Sequence, residues 1–227
     1  MKQFDFYEFT GVLVPGAVVL LGVGAVYPQL RTAWPNLTVG DLGFFAILAY
    51  IAGHLTQAIG NELERGWWRL WGGMPSDWLR SRKRPLLAPD QLEVLPSALN
   101  AQLGLPAPVD IGSLTSAAWF AITRQVYAAI AAARRSDRAD VFNGNYGMFR
   151  GLATGLLVVA AVVVARHALA QWGVLIGLVI ATALATSRMQ RFAKYYASEV
   201  FVQFLQLSAE RAKNIPDVAR TPAEGEL

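Results

Sequence analysis

The sequence predicts an all-α integral membrane protein with four transmembrane helices, a helical cytoplasmic domain between spans 2 and 3, and a long helix that extends span 4 into the cytoplasm. Hydrophobic residues make up 54% of its 227 residues and charged residues only 16%. The resulting mean hydropathy of +0.35 is too high for a soluble domain of average composition. The apolar residues are concentrated in four stretches, which are residues 9–28, 42–60, 151–165 and 168–187.

The first stretch, residues 9–28, carries no charge and is long enough to cross about 30 Å of hydrocarbon as a helix. The segment before it carries Lys2 against Asp5 and Glu8, and this net negative charge argues against a cleaved signal peptide. Pro15 lies within the stretch and has no backbone N–H. A carbonyl in this helix therefore needs a neighbouring helix or water as its partner.

The third and fourth stretches are separated only by Arg166 and His167, which predicts a tight helical hairpin. Residues 114–133 form a fifth apolar stretch, but Arg124 lies near its middle. A central arginine costs about 2.5–3.5 kcal/mol of insertion free energy, which the many alanines of this stretch do not offset. We therefore predict a buried amphipathic helix here rather than a fifth span.

The positions of the basic residues predict the orientation. With four spans, only Arg31 and Arg166 of the 20 lysines and arginines lie in the outer loops. Basic residues that flank spans stay on the cytoplasmic side of the membrane. Both termini are therefore predicted to be cytoplasmic, and the membrane is predicted to be a bacterial inner membrane. The predicted organisation is transmembrane helices 1 and 2 in residues 1–60, a cytoplasmic domain in 61–150, a transmembrane hairpin in 151–187, and a cytoplasmic helix with a disordered tail in 188–227.

Three features are predicted for the cytoplasmic domain. A helix covers residues 89–103, where Pro96 is expected to kink or divide it and Gly104 suits its C-terminal cap. A second helix covers about 114–135, and its apolar residues lie on one face. A third begins near residue 137 and can run into span 3.

After span 4 the apolar spacing continues, which predicts that span 4 and its extension form one helix of about 45 residues, roughly 65–70 Å long.

Aromatic and basic residues follow span 2 closely. The favoured interpretation is anchoring at the cytoplasmic membrane surface, and binding of anionic lipid headgroups is the alternative. Interleaved aromatic and basic residues also occur in proteins that bind single-stranded nucleic acid. Here their position next to a span explains them, so nucleic-acid binding is not expected. The predicted interface residues are Trp67, Trp68, Trp71, Arg80, Arg82, Lys83 and Arg84.

A polar stripe lies on span 2 at spacings of three and four residues, which places its members on one helix face. Lipid does not tolerate such a face, so it points at other helices or at a water-filled path. Three roles stay open: interhelical hydrogen bonds, the lining of a conduit for ions or water, and chemistry at the histidine. The stripe consists of Tyr50, His54, Gln57, Asn61 and Glu64.

Small residues recur every four positions on spans 3 and 4, a pattern that lets helix backbones approach closely. Either the two ridges pack the hairpin together, or they pack one subunit against another. They consist of Gly151 and Gly155 on span 3 and of Gly173, Gly177, Ala181 and Ala185 on span 4.

Motifs of common enzyme classes are absent from the sequence. It has no cysteine and only two histidines, and it lacks the HExxH, G-x-S-x-G, P-loop and GxGxxG patterns. We therefore expect no enzymatic activity, no metal site and no cofactor. A membrane enzyme that acts on lipid would need a catalytic pair that the sequence does not show.

The leading hypothesis is a non-enzymatic homo-oligomer in the lipid bilayer. Its cytoplasmic domain receives a signal or a partner, and its spans form a regulated conduit or perturb the membrane. Membrane effectors of bacterial defence systems would have such a plan, although this analogy concerns architecture alone. The alternative is a membrane scaffold or accessory subunit that recruits a cytosolic protein.

Overall fold

Every regular element that the structure describes is helical, as the sequence predicts. The structure is a computed structural model that describes residues 6–31, 39–81, 84–105, 109–167 and 170–213. The described α-helices are α1 (Phe6–Val26), α2 (Pro28–Arg31), α3 (Val39–Leu70), α4 (Pro75–Ser81), α5 (Pro89–Leu103), α6 (Ser116–Ala132), α7 (Asp137–His167) and α8 (Trp172–Lys213). A short 3-10 helix at Ile111–Ser113 precedes α6.

Three of these helices, α3, α7 and α8, are long and apolar enough to cross a membrane. The chain therefore has the character of a membrane-spanning protein. Helix α1 has 21 residues, but its apolar part, Thr10–Val26, is shorter than the apolar part of the other three helices. That α1 also crosses the membrane, as the sequence predicts, therefore stays a prediction.

Helix boundaries follow the sequence signals closely. Helix α3 runs past the apolar stretch to Leu70, and Gly72 and Gly73 then adopt φ values of +77° and +106° that suit glycine. Helix α5 ends at Gly104, which has a φ of +62° and donates its N–H to the Asn100 carbonyl. Pro96 does not divide α5, which is one helix of 15 residues. Helix α7 runs unbroken from Asp137, and α8 is a single helix of 42 residues.

The chain divides into two compact units. Unit 1 comprises Met1–Met74 and Ala139–Tyr196, and unit 2 comprises Pro75–Arg138 and Ala197–Leu227. In unit 1, helices α1 and α3 cross with their backbones in contact. A Cβ atom on Gly16 would lie 1.7 Å from the Ala49 carbonyl oxygen, and one on Gly53 would lie 2.0 Å from that of Val12. Only glycine fits at either position.

Helix α7 approaches α1 and α3 through Gly151 and Gly155. A Cβ atom on Gly151 would lie 2.7 Å from Cγ of Pro15 and 2.8 Å from Nε2 of Gln57. One on Gly155 would lie 3.2 Å from the Pro15 carbonyl oxygen and 3.3 Å from Cγ2 of Val19. The small residues of span 3 therefore make room for α1 and α3.

Of the two roles left open for the small-residue ridges, packing of the hairpin is not seen at the start of α8. Gly173 and Gly177 are exposed, and added Cβ atoms there would have no described neighbour within 4 Å. Farther along α8, Ala181 is half-buried and Ala185 is buried. Large side chains join α8 to its neighbours instead. Leu175 and Leu178 pack against the buried cluster of Val26, Val159 and Val163, and the ring centroids of Phe149 and Phe192 lie 5.6 Å apart.

Unit 2 has its own aromatic core. The rings of Trp119 and Phe201 stack with their centroids 5.7 Å apart, and Trp119 donates through Nε1 to the Ser76 carbonyl at 3.0 Å. Arg80 donates to the Leu114 carbonyl at 2.7 Å and to the Ser116 hydroxyl at 3.0 Å, next to the start of α6. The predicted apolar face of α6 is buried, and it consists of Trp119, Ile122, Val126 and Ile130.

Candidate functional site: a polar cluster on helices α1, α3 and α7

The side chain of Gln57 provides the hydrogen bond that Pro15 removes from α1. In a helix the Gly11 carbonyl would accept from the N–H of residue 15, but proline has none. Gln57 donates to that carbonyl through Nε2 at 2.9 Å, and to the Gly147 carbonyl on α7 at 3.2 Å. The partner required by Pro15 is therefore a side chain of α3.

Gln57 is also linked to an ion pair. Its Oε1 atom accepts from Nη2 of Arg150 at 2.8 Å and from Nε at 3.3 Å. The other terminal nitrogen of Arg150, Nη1, donates to Oε2 of Glu64. The side chains of Glu64 and Arg150 are only 15% and 21% exposed, so each charge depends on the other for its compensation.

Two aromatic side chains complete the network. The Tyr146 hydroxyl donates to Oε1 of Glu64 and accepts from Nε1 of Trp68 at 2.9 Å. Tyr146 and Trp68 are buried, with exposures of 8% and 4%. Hydrogen bonds thus run without a break from the Gly11 carbonyl to the Trp68 indole. The polar cluster is defined as Gln57, Glu64, Trp68, Tyr146 and Arg150.

The predicted polar stripe divides between this cluster and the exposed surface. At about 100° per residue, its five positions cover roughly 80° of the helix circumference, and Gln57 and Glu64 lie at one edge. Toward the other edge lie the exposed residues Tyr50, His54 and Asn61. The ring centroids of Tyr50 and His54 are 4.5 Å apart in an edge-to-face arrangement. The boundary between buried and exposed surface therefore runs along the stripe.

The predicted interface residues have several environments. Trp68 lies inside the polar cluster, which corrects its assignment to the membrane surface, and Arg80 is held by backbone and hydroxyl groups of unit 2. The rings of Trp67 and Trp71 lie 5.8 Å apart. Arg84 lies over the ring of Trp78 in unit 2, at 5.0 Å from its centroid. Arg82 and Lys83 lie outside the described residues.

Arg150 was not among the site residues predicted from the sequence. One signal could have found it: Glu64 and Arg150, opposite charges, each lie close to the end of an apolar stretch. Tyr146 lies four residues before Arg150, on the same face of α7. In the described ranges, no group of three or more histidine, aspartate or glutamate side chains could hold a metal ion.

Known proteins give no guide to the function of this chain, so a function has to be argued from the geometry of the polar cluster. The chain matches no protein-family model, no curated protein and no solved structure.

Proposed function

We propose that the protein is a non-enzymatic, homo-oligomeric protein of the bacterial inner membrane whose α3 helices line a regulated conduit. Helices α1, α3, α7 and α8 are its four spans, and both termini lie in the cytoplasm. The exposed part of the polar stripe, Tyr50, His54 and Asn61, lines the conduit. Residues 61–150 and the end of α8 receive the signal or partner that regulates it.

The exposed position of His54 carries this proposal. His54 lies about 18 Å along α3 from Leu42 and about 9 Å from Gly60, at 1.5 Å per residue. It is therefore well inside the apolar stretch, and it is exposed in the isolated chain. An ionisable side chain is costly to place against lipid. A neighbouring copy or a file of water is a better environment for it.

The polar cluster supports the same arrangement because it limits rotation of α3. Turning the helix to hide His54 would break the bonds from Gln57 to α1 and α7 and the ion pair of Glu64 with Arg150. Helix α8 adds a further apolar surface, since only 11% of its most apolar 18 residues are buried inside the chain. That surface is available to lipid or to another copy.

The test is ion flux through proteoliposomes, preceded by native mass spectrometry of the protein in mild detergent. We expect a defined oligomer, and a flux that falls at least tenfold in His54→Leu and in Asn61→Leu. The matched control is Leu55→Ala, on the same helix, where the wild-type side chain is 64% exposed and apolar. A monomer, or equal flux in His54→Leu and Leu55→Ala, would contradict the conduit.

A scaffold that recruits a cytosolic protein is the second candidate. It is favoured by two large apolar side chains on unit 2, because Phe120 is 63% exposed and Val94 is 51% exposed. We would then expect a stoichiometric partner in pull-downs from native membranes and no intrinsic flux. The double variant Val94→Ser/Phe120→Ser would lose that partner, whereas His54→Leu would keep it.

A further inference from the structure

Unit 2 contains a cavity of about 200 Å³ between the end of α4 and the start of α5. Its walls include the side chains of Trp78, Leu87 and Leu92. Trp78 and Leu87 are only 3% and 5% exposed, so they are fixed by their packing. The cavity is partly open to the surface, so an apolar ligand seated against these walls would remove apolar surface from water.

Two prolines keep this cavity in shape. Pro85 and Pro89 line it, and the ring of each proline fixes its φ angle. Pro89 is also the first residue of α5, a position at which proline suits the helix. A cavity that exists before binding spares the ligand the cost of ordering its walls.

Arg84 is the one charged side chain among the described residues that line the cavity. Its guanidinium lies over the ring of Trp78, at 5.0 Å from the ring centroid. A guanidinium carries five N–H donors, and its planar edge matches the two oxygens of a carboxylate. The cavity thus combines apolar walls with one cationic side chain.

We propose that this cavity binds a small apolar anion, whose ring or short chain fills the space between Trp78, Leu87 and Leu92 and whose carboxylate pairs with Arg84. By volume alone, a space of about 150 Å³ accepts benzene, so the cavity of about 200 Å³ accommodates a benzene ring with one or two further carbons. Arylacetates and carboxylates of similar size fit this description. The site does not depend on the conduit, because all of its residues belong to unit 2.

The test is ligand-observed 19F NMR of the full chain in nanodiscs, which avoids competition by detergent. The probes are 4-fluorophenylacetate and 2-(4-fluorophenyl)ethanol, which share the ring and differ in the charge. With wild type we expect saturable line broadening of the acid, and binding of the alcohol at least tenfold weaker. Arg84→Gln should reduce the affinity for the acid at least tenfold and remove the preference over the alcohol.

Cavity-filling variants separate this site from partitioning into the lipid. Leu87→Trp and Leu92→Trp should each abolish the saturable broadening, and two positions are used because either substitution could unfold unit 2. Near-ultraviolet circular dichroism reports whether each variant is folded. The surface variant Val94→Ala should bind as wild type does. Equal broadening in a folded filling variant and in wild type, or equal affinities of acid and alcohol for wild type, would overturn the proposal.

Discussion

The amide of Gln57 donates to the carbonyl oxygen of Gly11 at 2.9 Å. This carbonyl has no donor in its own helix because residue 15 is proline. A helix that carries proline inside an apolar segment is therefore completed by a side chain of another helix. The same amide reaches Gly147 on α7, so one residue of α3 holds both neighbouring helices.

Gln57→Leu should destabilise the protein by about 1–3 kcal/mol, because the Gly11 carbonyl is then buried without a donor. Pro15→Ala restores an N–H at residue 15, so the cost of Gln57→Leu should fall in the double variant. A double-mutant cycle of unfolding free energies in SDS titrations measures this coupling. Strictly additive effects of the two substitutions would argue against the link between Gln57 and Pro15.

Removing one partner of the Glu64–Arg150 pair should cost more than removing both. Glu64→Gln or Arg150→Gln leaves a charge with little access to water, and breaking such a pair costs about 3 kcal/mol or more. Glu64→Gln/Arg150→Gln leaves no charge, and we expect it to be more stable than either single variant. Thermal unfolding in one detergent, followed by circular dichroism, ranks the variants. A double variant less stable than both singles would contradict this account.

Gly16→Ala and Gly53→Ala should each disrupt the crossing of α1 and α3. The added methyl would lie within about 2 Å of a carbonyl oxygen of the facing helix, which forces the backbones apart. Overpacking of this kind costs about 1–3 kcal/mol or more. Gly173→Ala and Gly177→Ala are the matched controls, since no described atom lies near the added methyl. Stability in SDS titrations should fall in the first pair and hold or rise slightly in the second.

Arg80→Gln should destabilise unit 2, whereas Arg65→Gln should have little effect. Arg80 bonds to the Leu114 carbonyl and the Ser116 hydroxyl, and losing such charged hydrogen bonds costs about 1.5–3 kcal/mol. Arg65 pairs with Glu62 on an exposed helix surface, where an ion pair contributes about 0.5 kcal/mol or less. Hydrogen exchange of α6 amides provides the local measurement. Unchanged exchange in Arg80→Gln would show that these bonds do not support α6.

Helix boundaries could be predicted from the sequence because local chemistry determines them. Gly104 ends α5 through a positive φ angle, and Gly72 and Gly73 end the run of helix that begins in α3. Periodicity also identified the apolar face of α6. These signals depend on residues close in the chain, so no knowledge of the tertiary arrangement is needed.

The partners of each helix could not be predicted in the same way. The stripe from Tyr50 to Glu64 was visible, but its spacing does not show where the buried surface ends. Gly151 and Gly155 were recognised as a close-approach surface, yet small residues admit any helix, and the structure places α1 and α3 there. Pro15 indicated that a backbone carbonyl of α1 lacks its donor. It could not identify Gln57 as the donor, because Gln57 lies 46 positions from Gly11 in the chain.

The contacts of Gln57 and Glu64 have a consequence for biosynthesis. Gln57 can reach Gly11 as soon as α3 has been made, because both residues belong to the first third of the chain. Glu64 must wait for Arg150, which the ribosome adds 86 residues later. A nascent chain that ends before α7 therefore carries an uncompensated carboxylate close to the end of an apolar stretch. Until α7 has been made, Glu64 needs water as its partner, and unit 1 is complete only once the first half of α8, up to Tyr196, has followed.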